Sequence, residues 1–180
     1  MRTCLAVSSH LAARHVDEQR IKNSDWLFIE GYVFANPETG QTAIREAIQL
    51  AKKHNTKIAV TCSDAFVVHV FGDALREALK SADLFFCNES EACAVTGASS
   101  AEEAFQKLNS GIPSVIVTHG PNGVYIRHEG VQAHIPAFPS EPKDLTGAGD
   151  MLAGAFLYGI THGVAPAKAA RAACFLAHKV

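Results

Sequence analysis

Apolar positions along the chain follow two periods. Short runs rich in β-branched and aromatic residues predict buried strands: Trp26–Glu30 (WLFIE), Lys57–Thr61 (KIAVT), Asp83–Cys87 (DLFFC) and Ser114–Thr118 (SVIVT). Thr3–Ser8 reads as a further strand, and Val124–Arg127 with Gln132–Ile135 as a hairpin across Glu129-Gly130. Between these runs the period lengthens. Ile44, Ala47, Ile48 and Ala51 recur at helical spacing over Thr39–His54. Shorter helices are expected over Val16–Lys22, Asp73–Ser81 and Glu89–Val95, the last closed by Gly97. Ser100 and Glu103 suit a capping box opening a helix over Ala101–Asn109, which Gly111-Ile112-Pro113 breaks. Pro136–Pro142 carries three prolines and predicts an extended connection. A small-residue helix follows over Gly147–Thr161, and a last helix from about Ala165 is still apolar at Val180, without a cap. This strand–helix alternation predicts an α/β layered fold with a largely parallel sheet.

Composition narrows the function without naming it. Of 180 residues, 48% are apolar and 19% charged, the balance of an ordinary globular chain with length enough for a sizeable core. The net charge of -2, without a basic run, argues against nucleic acid as a partner. Cys4, Cys62, Cys87, Cys93 and Cys174 form no CxxC pair, so reduced, mostly buried thiols are expected, and the histidines show no metal-ligand spacing. The start MRTCLAVSSH lacks the apolar core of a signal peptide. The longest apolar stretch, Met151–Ile160, is well short of the roughly 20 residues a membrane helix needs. A cytoplasmic protein with no membrane partner is the expectation.

The chemistry concentrates in Asp144-Leu-Thr-Gly-Ala-Gly-Asp150. Its glycines fall where a loop enters a helix, and small residues there expose backbone N–H groups whose dipoles favour phosphate oxygens. Asp150, in the first turn, is placed to accept the proton of an attacking hydroxyl. A plain glycine turn with an acidic helix start fits the same residues. Asn88-Glu-Ser-Glu91 directly follows a strand, at the sheet edge where parallel α/β folds bind ligands. Asn88 suits a helix cap and Glu91 a magnesium ligand acting through water. An N-cap beside a solvated acid is the alternative. Thr118-His-Gly-Pro-Asn-Gly123 follows another strand, with glycines that let the backbone approach a flat or phosphorylated ligand, or simply make a turn.

In this order, the three segments resemble the PfkB family of carbohydrate and nucleoside kinases, also called ribokinase-like. DLTGAGDMLAGAFL matches the family's C-terminal pattern position by position, NESE matches its NxxE motif and THGPNG its TxGxxG loop. The resemblance covers about Asp25 to Val180. It implies a three-layer α/β/α sandwich, and phosphorylation of a hydroxymethyl group on a nucleoside or sugar using ATP and Mg2+, with K+ as a further cation. By the same resemblance Asp150 is the catalytic base, and Gly147, Ala148 and Gly149 are the anion hole. Asn88 and Glu91 organise magnesium and phosphates, and Thr118, Gly120 and Gly123 form the nucleotide loop. Ala173, Cys174 and Ala177 fall where the family's last helices approach adenine. Ile29-Glu-Gly-Tyr-Val-Phe34 and the opening Arg2-Thr-Cys-Leu look most like adenosine kinases, with ribokinase and fructokinase as alternatives.

The sequence departs from the family at both ends. The paired-glycine motif, the acidic substrate-binding residue and the β-sheet lid that precede these segments in the family are missing, as is the part completing the adenine pocket. Residues 1–180 are therefore expected to form a single partial kinase domain without its N-terminal substrate and lid segment. Its uncovered apolar surface predicts self-association, for instance as a homodimer. A non-catalytic nucleotide-binding fragment is the main rival. A dinucleotide-dependent oxidoreductase is a weaker one, because no GxGxxG follows the first strand.

Overall fold

The computed structural model describes residues 6–108, 111–139 and 144–180. The fold is α/β, with a six-stranded, mostly parallel sheet. The chain forms two compact units, residues 1–85 and 86–180.

In the first unit, β1 (Trp26–Ile29) lies parallel to β2 (Lys57–Thr61), in register from Trp26 opposite Lys57 to Ile29 opposite Val60. Parallel neighbours need a long crossover, and a helix supplies it. Helix α1 (Glu18–Lys22) precedes β1, and α2 (Gly40–His54) joins β1 to β2. Helix α2 buries Ala43, Ile44, Ala47 and Ala51 along one face and ends at Asn55 in the left-handed conformation. The next crossover, α3 (Ala65–Leu79), leads into β3 (Leu84–Asn88), whose last residues belong to the second unit. Asp83 ties its strand entry to β2: its carboxylate accepts the Ile58 N–H at 2.7 Å and its own N–H donates to the Ile58 carbonyl at 2.8 Å.

Two expectations for this unit are corrected. Ala6–His10 is a 3-10 turn rather than the end of a strand, with the Ser9 hydroxyl donating to the Ala6 carbonyl at 2.7 Å. Val7 is 80% exposed, so the apolar run there has no sheet to bury it; Thr3–Leu5 lie outside the described residues. Helix α3 begins eight residues before the expected start at Asp73. Asp64 caps it by accepting the Phe66 N–H at 2.8 Å, and non-helical angles at Phe71 kink it. The β-branched run Val67-Val68 conceals the helix locally, yet both side chains are buried, so packing overrides propensity. An open cavity of about 550 Å3 also lies in this unit, lined by Leu11, Val16, Ile21, Phe28, Glu30 and Val33 among others.

The second unit continues from β3 through α4 (Glu89–Thr96) and α5 (Ala101–Lys107) to β4 (Ser114–Thr118). Strand β5 (Val124–His128) pairs antiparallel with β4, and β6 (Val131–Ile135) antiparallel with β5. The expected hairpin turn is present, with Glu129 at φ 48° and Gly130 at φ 79°, the left-handed pair that matches strand twist. Helix α4 closes on Gly97 in the left-handed conformation. The capping box before α5 is only half formed. Ser100 Oγ accepts the Glu103 N–H at 3.2 Å, but the Glu103 carboxylate accepts from the Ser99 N–H and hydroxyl instead. The expected end of α5 at Asn109, and residues 140–142 of the proline-rich connection, lie outside the described residues; residues 136–139 carry no regular structure.

Helix α6 (Ala148–Thr161) packs on α7 (Pro166–Ala177), and a Cβ on Gly159 would stand 2.9 Å from the Ala169 Cβ, which marks how closely they cross. The last helix does not run to Val180 but stops at Ala177 with His178 as C-cap. Phe156 of α6 is fully buried, edge-on to Phe86 of β3 and to His128 of β5. Cys62, Cys87 and Cys174 are buried and Cys93 is half-buried. No helix among the described residues is long and apolar enough to cross a membrane.

Candidate functional site

Every residue singled out for chemistry belongs to the second unit. The glycine-rich segment behaves as an uncapped helix start. Asp144 folds the approach, its carboxylate accepting both the Thr146 N–H at 2.8 Å and the Thr146 hydroxyl at 2.7 Å; these bonds hold its pKa below the ordinary carboxylate value. Gly147 is the N-cap residue of α6, at φ 87°, a conformation that favours glycine, and no side chain caps the helix. A Cβ on Gly149 would meet nothing within 4 Å, so the first turn opens to its surroundings. Asp150 is exposed in that same turn. An uncapped helix N-terminus with an open glycine face suits an anion, and the carboxylate beside it suits a proton acceptor.

The NESE segment caps α4. Asn88 Oδ1 accepts the Glu91 N–H at 2.9 Å, while the Glu91 carboxylate accepts the Asn88 N–H and the Asn88 side-chain amide, each at 2.9 Å. Asn88 is exposed, but Glu91 is only 4% exposed. The acid is therefore not the solvated one of the simpler reading. It is a buried carboxylate that Asn88 helps to orient, and burial would leave any magnesium to be reached through water. No cluster of three or more His, Cys, Asp or Glu ligands occurs among the described residues.

The Thr118–Gly123 loop leaves β4, makes a 3-10 turn over Gly120–Asn122 and enters β5. Its two glycines serve different ends. Gly120 has φ 51° and open space where a Cβ would point. Gly123 has φ 100°, and its Cβ would fall 2.0 Å from the Ile135 carbonyl oxygen, so the close approach of β6 by itself requires glycine there. In α7, Ala173 is fully buried and Cys174 is 7% exposed, with burial pushing the Cys174 thiol pKa up; Ala177 is half-buried. The first two face the unit's interior, which leaves Ala177 as the accessible member of that trio.

Sequence reasoning overlooked two side chains that hold these loops. Glu89, the first residue of α4, accepts the Ala101 N–H at 3.3 Å and places its other oxygen 3.3 Å from His119 Nε2. The only sequence signal was an acid at the first helical position, which ordinarily reads as helix-dipole compensation.

A family model described as pfkB family carbohydrate kinase matches residues 2–180. A cytidine kinase from Thermococcus kodakarensis is 37% identical over 95 residues, covering 51% of this chain and 34% of the relative. The ribokinase of Haemophilus influenzae is 30% identical over 158 residues, covering 83% of this chain and 48% of the relative. The crystal structure of adenosine kinase from Sinorhizobium meliloti superposes with a TM-score of 0.87 at 28% identity, over 94% of this chain and 52% of that one. The chain thus spans about half or less of the length of these relatives. With its glycine-opened helix, its capped NxxE turn and a family match along nearly its whole length, the chain belongs to the pfkB family of carbohydrate kinases.

Proposed function

We propose that this chain is the nucleotide-handling and catalytic portion of an ATP- and magnesium-dependent kinase that phosphorylates a hydroxymethyl group. The preferred acceptor is a nucleoside, adenosine first, and a sugar such as ribose or fructose is second. The carrying observation is the start of α6: a left-handed Gly147, no side-chain cap, an open Gly149 and Asp150 in the first turn. In this reading Asp150 takes the proton of the acceptor hydroxyl. The hydroxyl oxygen then attacks the terminal phosphorus of ATP, and ADP leaves with the electrons of the broken P–O bond. The amides of Gly147, Ala148 and Gly149 steady the charge on the transferring group. Magnesium would neutralise phosphate charge, and the residues to hold it are Glu91, through water, and Asn88. Thr118 and Gly120 border the nucleotide, with Gly123 shaping their loop and Ala177 nearest the base.

The test is acceptor-dependent ADP release by the chain with magnesium and potassium, offered adenosine, ribose or fructose. Asp150→Asn should lower turnover by about a hundredfold or more while ATP still binds. Undiminished turnover in that variant, or loss of ATP binding together with turnover, would overturn the assignment of the base. A second reading, a nucleotide-binding fragment without turnover of its own, draws on the half-length coverage of the relatives. It predicts ATP binding by a folded chain that stays silent with all three acceptors.

A further inference from the structure

Outside the residues already assigned, a polar contact in the second unit joins two motif loops. His119 follows Thr118 at the end of β4, and Glu89 follows Asn88 at the end of β3. The His119 Nε2 lies 3.3 Å from a Glu89 oxygen, with the Asn122 side-chain amide nitrogen also at 3.3 Å. One face of the imidazole stacks on Tyr125 at 6.1 Å between centroids, and Tyr125 in turn meets His134 at 4.6 Å and Phe105 at 5.6 Å. His119 Nδ1 is buried with no hydrogen-bond partner. A proton on Nε2 makes the Glu89 contact a hydrogen bond, and the Asn122 amide nitrogen then does not donate to that atom. The backbone closes around the same residue: its N–H donates to the Gly123 carbonyl at 2.8 Å and its carbonyl accepts the Asn122 N–H at 3.0 Å. Glu89 is anchored independently by the Ala101 N–H.

We propose that His119 is a positioning residue for nucleotide binding: it latches the Thr118–Gly123 loop to the start of α4 and so fixes the two motif segments at one spacing. The inference rests on the kinase reading above. At Gly120, φ 51°, an added Cβ would meet nothing within 4 Å, so on that side the imidazole, stacked on Tyr125 and 3.3 Å from Glu89, adds a side-chain restraint to the loop's own backbone hydrogen bonds. A loop free to move must be ordered at the moment of binding, which weakens affinity.

The experiment is calorimetric titration of the full chain with ATP and magnesium, together with amide hydrogen exchange across residues 118–123. His119→Ala should weaken ATP binding roughly threefold to tenfold and speed exchange in the loop. Glu89→Ala should do the same, and the double variant should be no worse than either single one, because both remove one latch. His119→Gln keeps an N–H donor near the Nε2 position and should restore most of the affinity, which a purely apolar packing role would not predict. ATP binding by the wild-type chain with affinity and exchange unchanged in His119→Ala overturns the latch alone, as does strict additivity of the two alanine variants. Absence of ATP binding by the folded wild-type chain overturns the kinase reading and the latch together.

Discussion

Replacing Gly123 by alanine separates a glycine demanded by the fold from one kept open for a ligand. The backbone at Gly123 has φ 100° and ψ -140°, a region essentially reserved for glycine. An added Cβ would lie 2.0 Å from the Ile135 carbonyl oxygen and 2.8 Å from the Ala137 nitrogen, both backbone atoms that cannot swing aside. The strained conformation costs about 1–3 kcal/mol. Forcing β6 away from the loop adds roughly 1–3 kcal/mol of overpacking. The sum, about 2–6 kcal/mol, corresponds for a chain of this size to a fall in Tm of roughly 5–20 °C. Gly120→Ala is the internal control. Its φ is 51° with nothing within 4 Å of the new methyl group, so only the left-handed penalty of about 1–2 kcal/mol applies. Thermal melts followed by circular dichroism, on both variants at equal concentration, give the comparison. Melting of Gly123→Ala within a degree or two of wild type, or no lower than Gly120→Ala, would refute the packing argument. Loss of ATP affinity with stability intact would return Gly123 to a direct role at the nucleotide.

Asn88→Ala removes the cap of α4 and the side-chain amide that donates to the buried Glu91 carboxylate, while the backbone N–H of residue 88 remains, and should cost about 1–3 kcal/mol in denaturant unfolding; an unchanged midpoint would mean that Glu91 finds other donors. Glu103 is held at a pKa of about 2, below its ordinary 4.5, chiefly by the Lys107 ammonium and then by Ser99. A depressed carboxylate stabilises the fold above its unfolded value and loses that effect as pH falls through the folded one. Glu103→Gln should therefore melt below wild type at pH 6, with the gap closing between pH 4.5 and pH 2. A gap independent of pH would show that charge plays no part.

Where local chemistry dictates conformation, the sequence was sufficient. Lys57–Thr61 and Ser114–Thr118 are strands with the expected bounds because their β-branched runs have one buried fate. Glu129-Gly130 turns the hairpin because Gly130 takes positive φ without a Cβ penalty, with Glu129 drawn into the same region by the turn, and Gly97 closes α4 for the same reason as Gly130. The helix start at Gly147–Asp150 was readable because an uncapped, glycine-opened helix entry needs only small residues in a fixed order. Tertiary structure decided the rest. Thr3–Ser8 has the pattern of a strand, but Ala6–Ser8 curl into a 3-10 turn whose Val7 stays in solvent. Val67 and Val68 entered a helix because their burial outweighed their local preference. The burial of Glu91 and the different duties of Gly120 and Gly123 arise from neighbours that sequence proximity does not reveal. So does the meeting of Glu89 with His119, thirty positions apart in the chain and 3.3 Å apart in space. Periodicity and capping are properties of a few adjacent residues, whereas which side chain faces which is set only when distant strands end side by side.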